Sequence, residues 1–243
     1  MSRQEIPREG LADSTVVVLD ILLATTTLTT ILESGARRVF PVASLEEAEE
    51  VCDRLDPAET VRGGEQNARR IDGYDCGPYP EEFTPEVVGG RDVVFVTTNG
   101  TRALGEAAGA GELLIASLRN APAVARYLND SAPESVYVVC AGSQGRFVLD
   151  DFVGAATLLQ YMKPEAAGWR LNDAAKLARE FVETGADWTI EALKRSRSGG
   201  WFELNDRLRT LEFVAAVGVS DRVARVEGGV LREVEQDILE KEG

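Results

Sequence analysis

Residues 92–104 read D-V-V-F-V-T-T-N-G-T-R-A-L and carry the clearest structural signal in the chain. Residues 93–96 form a short β-branched and aromatic run, which is typical of a buried strand. Residues 97–100 favour a turn, and the residues from Thr101 onward are good helix formers. The stretch therefore predicts a strand, a polar loop and a helix. Such a loop lies where α/β proteins bind anionic ligands, although an ordinary capped turn is the simpler alternative.

The alternation of strands and helices continues on both sides of this stretch. Further strands are predicted around Val61 and at residues 15–19, 39–42, 113–116, 136–140 and 223–226. Helices are predicted after a Ser44–Glu47 capping box and at residues 24–33, 121–128, 149–162, 172–184, 189–195 and 205–217. A tight polar turn is expected at residues 63–67 and a break at residues 196–200.

These elements predict an α/β fold of three αβα layers with a mostly parallel or mixed central sheet. We expect a single domain over residues 1–243, in which about residues 164–243 form a helical C-terminal elaboration. The Thr- and Ala-rich helices are compatible with a homodimer.

The charge of the chain narrows the partners that it can bind. Its net charge is −15, from 26 basic and 41 acidic residues, so we expect no nucleic-acid and no anionic-membrane partner. The acidic, Lys-poor composition resembles the proteomes of salt-loving cells, although a GC-rich genome would also favour Arg. No apolar run is long enough to span a bilayer and the first residues have no signal-peptide pattern, so we expect a cytoplasmic protein.

The cysteine and histidine content limits the chemistry. Cys52, Cys76 and Cys140 have no regular spacing, which argues against a disulfide framework and a zinc site. The chain contains no histidine, which excludes His-based triads and imidazole metal ligands. A bound metal should therefore be a hard, oxygen-bound cation, and Mg²⁺ is the one that we expect.

Four polar loops follow predicted strands and would converge on one edge of a parallel sheet. They begin at Asp20, Gly63, Thr97 and Ala141. Carboxylates that could hold Mg²⁺ or act as acid and base are Asp20, Glu65, Asp150 and Asp151. Side chains that could hold phosphate oxygens are Arg102, Arg146, Asn67 and Asn99. A helix cap at Asp20 and dipole compensation at Asp150 and Asp151 are the structural alternatives.

Several familiar motifs are missing, and one is matched in part. The chain has neither a P-loop nor a Rossmann glycine pattern, and Leu22 stands where haloacid-dehalogenase phosphatases need a second Asp. Cys140 and Arg146 have the Cys-x5-Arg spacing of the cysteine-phosphatase loop, in which a thiolate attacks phosphorus. Ser143 replaces the mid-loop Gly of that motif, and a small buried hydrophobe is the alternative role for Cys140.

Four runs together resemble the 2-phosphosulfolactate phosphatase family. They are V-V-V-L-D-I-L-L-A-T-T-T, G-G-E-Q-N, T-T-N-G-T-R-A-L and C-A-G-S-Q-G-R-F-V-L-D-D, within residues 15–155. The resemblance implies an α/β fold and Mg²⁺-dependent removal of phosphate from a small phosphorylated 2-hydroxy acid. In the family this reaction belongs to coenzyme M biosynthesis.

The resemblance also implies roles for residues at matching positions. Catalytic roles fall on Asp20, Asp150, Asp151, Arg102, Arg146 and, in the cysteine alternative, Cys140. Substrate-binding roles fall on Asn67, Asn99, Gly100, Thr101, Arg102, Gly142, Gly145 and Arg146. The implied metal ligands are Asp20, Glu65 and Asp151. The chain departs from the family at Leu23, where Arg is usual, at Asp150, where Glu is usual, and at residues 154–156.

Three hypotheses follow. The first is a Mg²⁺-dependent phosphatase acting on a small anionic phosphorylated substrate. The second is a non-catalytic protein that binds an anionic metabolite. The third is a metal-independent cysteine phosphatase that uses Cys140 and Arg146.

Overall fold

A computed structural model describes residues 1–7, 9–67, 69–183 and 189–234. The strands of this part are β1 Thr15–Leu19, β2 Arg38–Val42, β3 Thr60–Gln66, β4 Arg69–Arg70, β5 Asp92–Val96, β6 Glu112–Ala116, β7 Val136–Cys140, β8 Ala224–Glu227 and β9 Val230–Glu233. Its helices are α1 Ala24–Glu33, α2 Leu45–Cys52, α3 Pro85–Val88, α4 Gly100–Glu106, α5 Ala121–Ser131, α6 Leu149–Tyr161, α7 Pro164–Ala167, α8 Asp173–Glu183, α9 Thr189–Arg195, α10 Arg197–Leu204 and α11 Leu208–Ala215. Within these residues, none of the helices combines the length and the apolar character needed to cross a bilayer.

The strands form one mixed sheet in the order β4-β3-β5-β2-β9-β8-β6-β1-β7. Strands β3, β5 and β2 form one parallel group, and β6, β1 and β7 form another. Between the groups lies the hairpin β8–β9, which is antiparallel to its neighbour on each side. Because three antiparallel pairings separate the two groups, the groups run in opposite directions.

Helices cover both faces of the sheet. Because successive side chains of a strand point to opposite faces, Val17 and Leu19 of β1 pack with α5, α6 and the C-terminal helices. Val16 and Val18 pack on the other face with α1 and α4. All four of these side chains are fully buried. The predicted three-layer α/β fold with a mixed sheet is confirmed.

The predicted turn at residues 63–67 is wrong, because β3 continues to Gln66 and the chain turns only at Asn67. The two glycines that suggested a turn instead allow close packing inside the sheet. A Cβ on Gly63 would lie 2.6 Å from the Phe83 ring, and one on Gly64 would lie 2.0 Å from the Val96 carbonyl oxygen. Glycine is therefore needed here for space within a strand.

The C-terminal region differs from the sequence prediction in two respects. The predicted break at residues 196–200 contains the start of α10, where the Ser196 hydroxyl accepts a hydrogen bond from Gly199 N at 2.9 Å. Strand β9 was not predicted, and with β8 it joins the two parallel groups into one sheet. Residues 184–188 and 235–243 of the predicted elaboration lie outside the described residues.

Candidate active site

The carboxyl ends of strands from both parallel groups meet at one place. Glu65, at the end of β3, accepts a hydrogen bond from Thr98 N after β5 at 2.8 Å. Asp20, after β1, accepts one from Gly100 N, also after β5. Asp151 accepts one from Gly142 N after β7 at 2.8 Å. The loops predicted to converge therefore do so, although the two groups run in opposite directions.

Asp20 lies at the centre of this arrangement and is buried, with 8% of its surface exposed. Its carboxylate accepts hydrogen bonds from Ala24 N and Gly100 N. Burial raises the pKa of Asp20 to about 7, and repulsion from Asp150 and Glu65 adds to the shift. A Cβ on Gly100 would lie 2.7 Å from the Ala24 Cβ and 3.0 Å from Asp20 Oδ2, so only glycine permits this close approach.

Asp151 joins the loops that follow β1 and β7. It is 1% exposed, and its Oδ1 accepts from Ile21 N at 3.0 Å while its Oδ2 accepts from Gly142 N at 2.8 Å. Burial raises the pKa of Asp151 well above its usual range, and repulsion from Asp20 and Asp150 acts in the same direction. The side chain therefore bonds to neighbouring loops in addition to lying in the first turn of α6.

Asp150 is also buried, but it faces the C-terminal helices. Its side chain interacts with the Ser196 hydroxyl and with the charge of Arg197. Burial raises the pKa of Asp150 to about 6. Its Oδ1 is buried and has no hydrogen-bond partner within the described ranges of the chain. Sequence reasoning missed Ser196 and Arg197, although the S-R-S-G-G run at residues 196–200 is a helix-start signal that could have located them.

The loop between β5 and α4 holds Asp20 in place. Gly100 N is directed at the Asp20 carboxylate, and the hydroxyl of buried Thr101 donates to the Thr97 carbonyl. Asn99 is half-buried at the start of α4, and Arg102 is exposed in its first turn. Of the predicted phosphate-binding residues in this loop, Arg102 is thus the most exposed.

The loop between β7 and α6 closes on itself. Ser143 N donates to the Arg146 carbonyl and Arg146 N donates to the Ser143 carbonyl, both at 3.0 Å. The two residues between them, Gln144 and Gly145, have φ values of 53° and 72°, as in the tight turns of β-hairpins. Gly142 N is directed at Asp151. These N–H groups are therefore not arranged around a phosphate.

Cys140 lies in a setting that disfavours a thiolate. Burial raises the pKa of the Cys140 thiol to about 12, and the charge of Asp151 acts in the same direction. The backbone N–H groups of Cys140 and Ala141 donate to the carbonyls of Met1 and Leu19. Neither the thiol nor the adjacent backbone therefore matches the needs of the Cys-x5-Arg mechanism.

Two other predicted substrate-binding residues lie away from the buried carboxylates. Arg146 lines a cleft of about 760 Å³ beside β7, together with Phe147, Phe152 and Trp169, and none of the carboxylates described above lines it. Asn67 is exposed, with φ 54°, in the turn between β3 and β4.

The buried carboxylates offer oxygen donors, which are the ligands that a hard cation prefers. In the described residues no three acidic or cysteine side chains form a complete cation site. Mg²⁺, however, commonly takes only one or two protein carboxylates and completes its shell with water and substrate phosphate. Asp20 and Asp150 repel each other, and Asp150 Oδ1 is buried without a partner among the described residues. A bound cation would offset the free-energy cost of this repulsion and of the buried, unpaired oxygen.

Fold and site together define an α/β protein whose site is built from buried carboxylates at the ends of strands. Comparison with known sequences identifies its family. The model of the 2-phosphosulpholactate phosphatase family matches residues 1–229.

Three relatives, each named a probable 2-phosphosulfolactate phosphatase, are similar over most of their length. The relative from Caldanaerobacter subterraneus subsp. tengcongensis is 33% identical over 91% of both chains. The one from Symbiobacterium thermophilum is 44% identical over 72% of this chain and 74% of its own. The one from Clostridium perfringens strain SM101 is 34% identical over 99% of this chain and 97% of its own.

The chain therefore belongs to the 2-phosphosulfolactate phosphatase family. The predicted family is confirmed, and with it, at the level of the family, the predicted class of phosphoric monoester hydrolase.

Proposed function

We propose that this protein is a Mg²⁺-dependent phosphatase that converts 2-phosphosulfolactate, or a closely related phosphorylated 2-hydroxy acid, to the hydroxy acid and phosphate. The observation that carries the proposal is the cluster of three buried carboxylates, Asp20, Asp150 and Asp151, in a member of this family. Asp150 raises the pKa of Asp20, and both of these carboxylates raise the pKa of Asp151. A buried group of like charges costs stability and is typical of functional sites.

The predicted metal ligands Asp20, Glu65 and Asp151 would supply the one or two carboxylates that hold Mg²⁺, and water and substrate phosphate would complete its shell. Their oxygen donors suit this ion, since the chain offers no histidine. When bound, the cation would neutralise charge on the phosphate oxygens. The loops already fix two of these carboxylates, because Gly100 N holds Asp20 while Ile21 N and Gly142 N hold Asp151.

The remaining roles belong to side chains around this cluster. Arg102 is exposed next to Gly100 and would bind the equatorial phosphate oxygens, whose charge is spread in the transition state. Asp150, with a pKa raised to about 6, is suited to move a proton to or from the reacting oxygen near neutral pH. Gly100 and Thr101 would support Asp20 and the loop instead of touching phosphate.

We further propose that the reaction lies in coenzyme M biosynthesis, as the family resemblance implies, and that it takes place in the cytoplasm. Leu23 replaces a family Arg, so the identity of the preferred substrate needs its own test.

Phosphate release from a substrate panel tests this function. The panel should contain 2-phosphosulfolactate, 2-phospholactate, phosphoglycolate and p-nitrophenyl phosphate, each assayed with Mg²⁺. The proposal expects the phosphorylated 2-hydroxy acids to be preferred over p-nitrophenyl phosphate by at least about tenfold in kcat/KM. Absence of turnover on every substrate, by protein shown to be folded, would support the non-catalytic binding hypothesis instead.

A further inference from the structure

We propose that Thr25 and Thr26, in the first turn of α1, are positioning residues that hold Asp20 and Asp151 in the geometry that the reaction needs. Their hydroxyl groups fix the backbone of the loop between β1 and α1, residues 20–23, and that backbone fixes the two carboxylates. The inference rests on the proposed function for the roles of Asp20 and Asp151.

Helix α1 contains more threonine than helix formation favours. It reads A-T-T-T-L-T-T-I-L-E, so that five of its 10 residues are threonines, and all five are buried. Threonine is a weaker helix former than alanine or leucine, and a buried hydroxyl needs a hydrogen-bond partner. The partners differ along the helix. Hydroxyls of the first turn bond to residues outside α1, whereas those of the second turn bond to residues within it.

The Thr25 hydroxyl bonds to both backbone groups of Asp20. It accepts a hydrogen bond from Asp20 N and donates one to the Asp20 carbonyl oxygen, both at 3.0 Å. Thr25 N donates to the same carbonyl oxygen at 2.9 Å. Because Gly100 packs against the Asp20 carboxylate, residue 20 is held at its side chain as well as at its backbone. Loss of the Thr25 hydroxyl would leave the Asp20 N–H without its acceptor.

The same backbone also reaches Asp151. The carbonyl of Asp20 and the N–H of Ile21 belong to one planar peptide group, and Ile21 N donates to Asp151 Oδ1 at 3.0 Å. The Thr26 hydroxyl fixes the next peptide group, since it donates to the Ile21 carbonyl oxygen at 2.9 Å. Two consecutive threonines therefore hold two consecutive peptide groups. The first of these groups joins the residue that carries one carboxylate to the N–H that binds the other.

Thr29 and Thr30 provide a comparison within the same helix. They lie one turn later and are also buried, and their hydroxyls donate to the carbonyl oxygens of Thr25 and Thr26 at 2.8 and 2.9 Å. Such bonds to the preceding turn satisfy the hydroxyl within the helix. A loss that is specific to the first-turn pair would therefore indicate positioning, and a loss common to both pairs would indicate stability alone.

The test replaces each threonine by valine, which has a similar shape but no hydroxyl. Thr25→Val and Thr26→Val are compared with the matched controls Thr29→Val and Thr30→Val, and Thr25→Ser restores the hydroxyl. With 2-phosphosulfolactate and Mg²⁺, we expect kcat to fall about 10- to 100-fold in Thr25→Val and about three- to tenfold in Thr26→Val, with KM within about threefold. Both controls should keep kcat within about twofold of the wild type. Thr25→Ser should recover most of the loss.

Amide hydrogen exchange in EDTA gives a second reading that needs neither metal nor substrate. Because Thr25→Val removes the acceptor of the Asp20 N–H, exchange of that amide should increase at least about tenfold more than it does in Thr29→Val. In an active enzyme, kcat of Thr25→Val within about twofold of the wild type would overturn the inference. So would a fall in kcat that all four valine variants share in proportion to their lowered melting temperatures.

The two readings also separate this inference from the proposed function. A wild type without turnover, in which Thr25→Val but not Thr29→Val increases exchange at Asp20, would refute the phosphatase proposal and leave the positioning of Asp20 standing. A wild type with turnover, in which Thr25→Val and Thr29→Val have the same kcat and the same exchange at Asp20, would refute the inference and leave the phosphatase proposal standing.

Discussion

The loops that follow β5 and β7 look alike in sequence but contact different carboxylates. One reads T-T-N-G-T-R and the other A-G-S-Q-G-R, and each connects a buried strand to a helix. In the first loop Gly100 N reaches Asp20 on the opposite parallel group. In the second, Gly142 N reaches Asp151, while Ser143 and Arg146 bond to each other. Both patterns were compatible with phosphate binding, yet in both loops a glycine N–H supports a carboxylate.

A glycine-rich loop after a strand therefore indicates that another group packs closely against the loop backbone, but the pattern does not identify that group. At residue 100 only glycine can lie this close to Asp20, because a Cβ there would clash with Ala24. Gly142 has a φ of 69°, and a Cβ there would clash with the Arg146 carbonyl oxygen. The chemistry then depends on the partner that tertiary structure brings to the loop. Here the partners are acidic, and the site is one of buried carboxylates.

The largest expected effect is that of Asp20→Asn. Asn keeps the size of the side chain and can still accept a hydrogen bond, but it removes the central negative charge. We expect kcat/KM for 2-phosphosulfolactate with Mg²⁺ to fall at least about 100-fold. Thermal unfolding should show that the variant is folded. Activity within about threefold of the wild type would remove Asp20 from the centre of the site.

Gly100→Ala tests whether the β5 loop supports Asp20. The added methyl group would meet the Ala24 Cβ at 2.7 Å and Asp20 Oδ2 at 3.0 Å. We expect a loss of about 1–3 kcal/mol in the free energy of unfolding and an activity loss of about tenfold or more. The matched control is Gly105→Ala in the same helix, where no atom lies within 4 Å of the added group. That variant should be neutral or up to about 1 kcal/mol more stable, and equal effects of the two variants would contradict the assignment.

Stability should depend on pH through the buried aspartates. Asp20 has a pKa raised to about 7 in the folded protein, so its folded form holds a proton that the unfolded form has already lost. The stabilising effect of that proton is complete below about pH 4 and is lost as pH rises through about 7. In EDTA, the wild type should therefore lose more stability than Asp20→Asn between about pH 5 and about pH 8. Denaturant unfolding of both proteins at the two pH values measures the difference, and parallel curves would refute the shift.

Cys140→Ser should have the smallest effect. Because burial raises the pKa of the Cys140 thiol to about 12, very little thiolate exists at neutral pH. We expect kcat/KM to stay within about threefold of the wild type, with a stability cost of about 1 kcal/mol. Loss of all activity in a folded variant would contradict this prediction and support the mechanism in which Cys140 acts as the nucleophile of a cysteine phosphatase.

The sequence predicts β1, β5 and β6 well because each is a short buried run with an unambiguous pattern. It misreads Gly63 and Gly64, since only the fold reveals that Phe83 and the Val96 backbone fill their space. It misses β9 because V-L-R-E is short and half charged, and only pairing with β2 and β8 makes it a strand. The prediction of a single domain stays a prediction.

The sequence singles out Asp20 because it follows a predicted strand directly, and Asp150 and Asp151 because they lie at the start of a predicted helix. Their roles stay predictions. Ser196 and Arg197 were missed because they come from a helical segment that reaches Asp150 only through the packing of α9 and α10 on α6. Local sequence shows that a helix begins there. It does not show which surface that helix faces.

The central claim is that carboxylates holding Mg²⁺, and not the thiol of Cys140, carry the phosphatase activity. The most direct test is the rate of phosphate release from 2-phosphosulfolactate by the wild-type protein in Mg²⁺, after EDTA, and after Mg²⁺ is restored in excess. We predict activity in Mg²⁺, a loss of at least about 100-fold in EDTA, and recovery when Mg²⁺ returns. Turnover that continues undiminished in EDTA would contradict the claim and favour the cysteine mechanism.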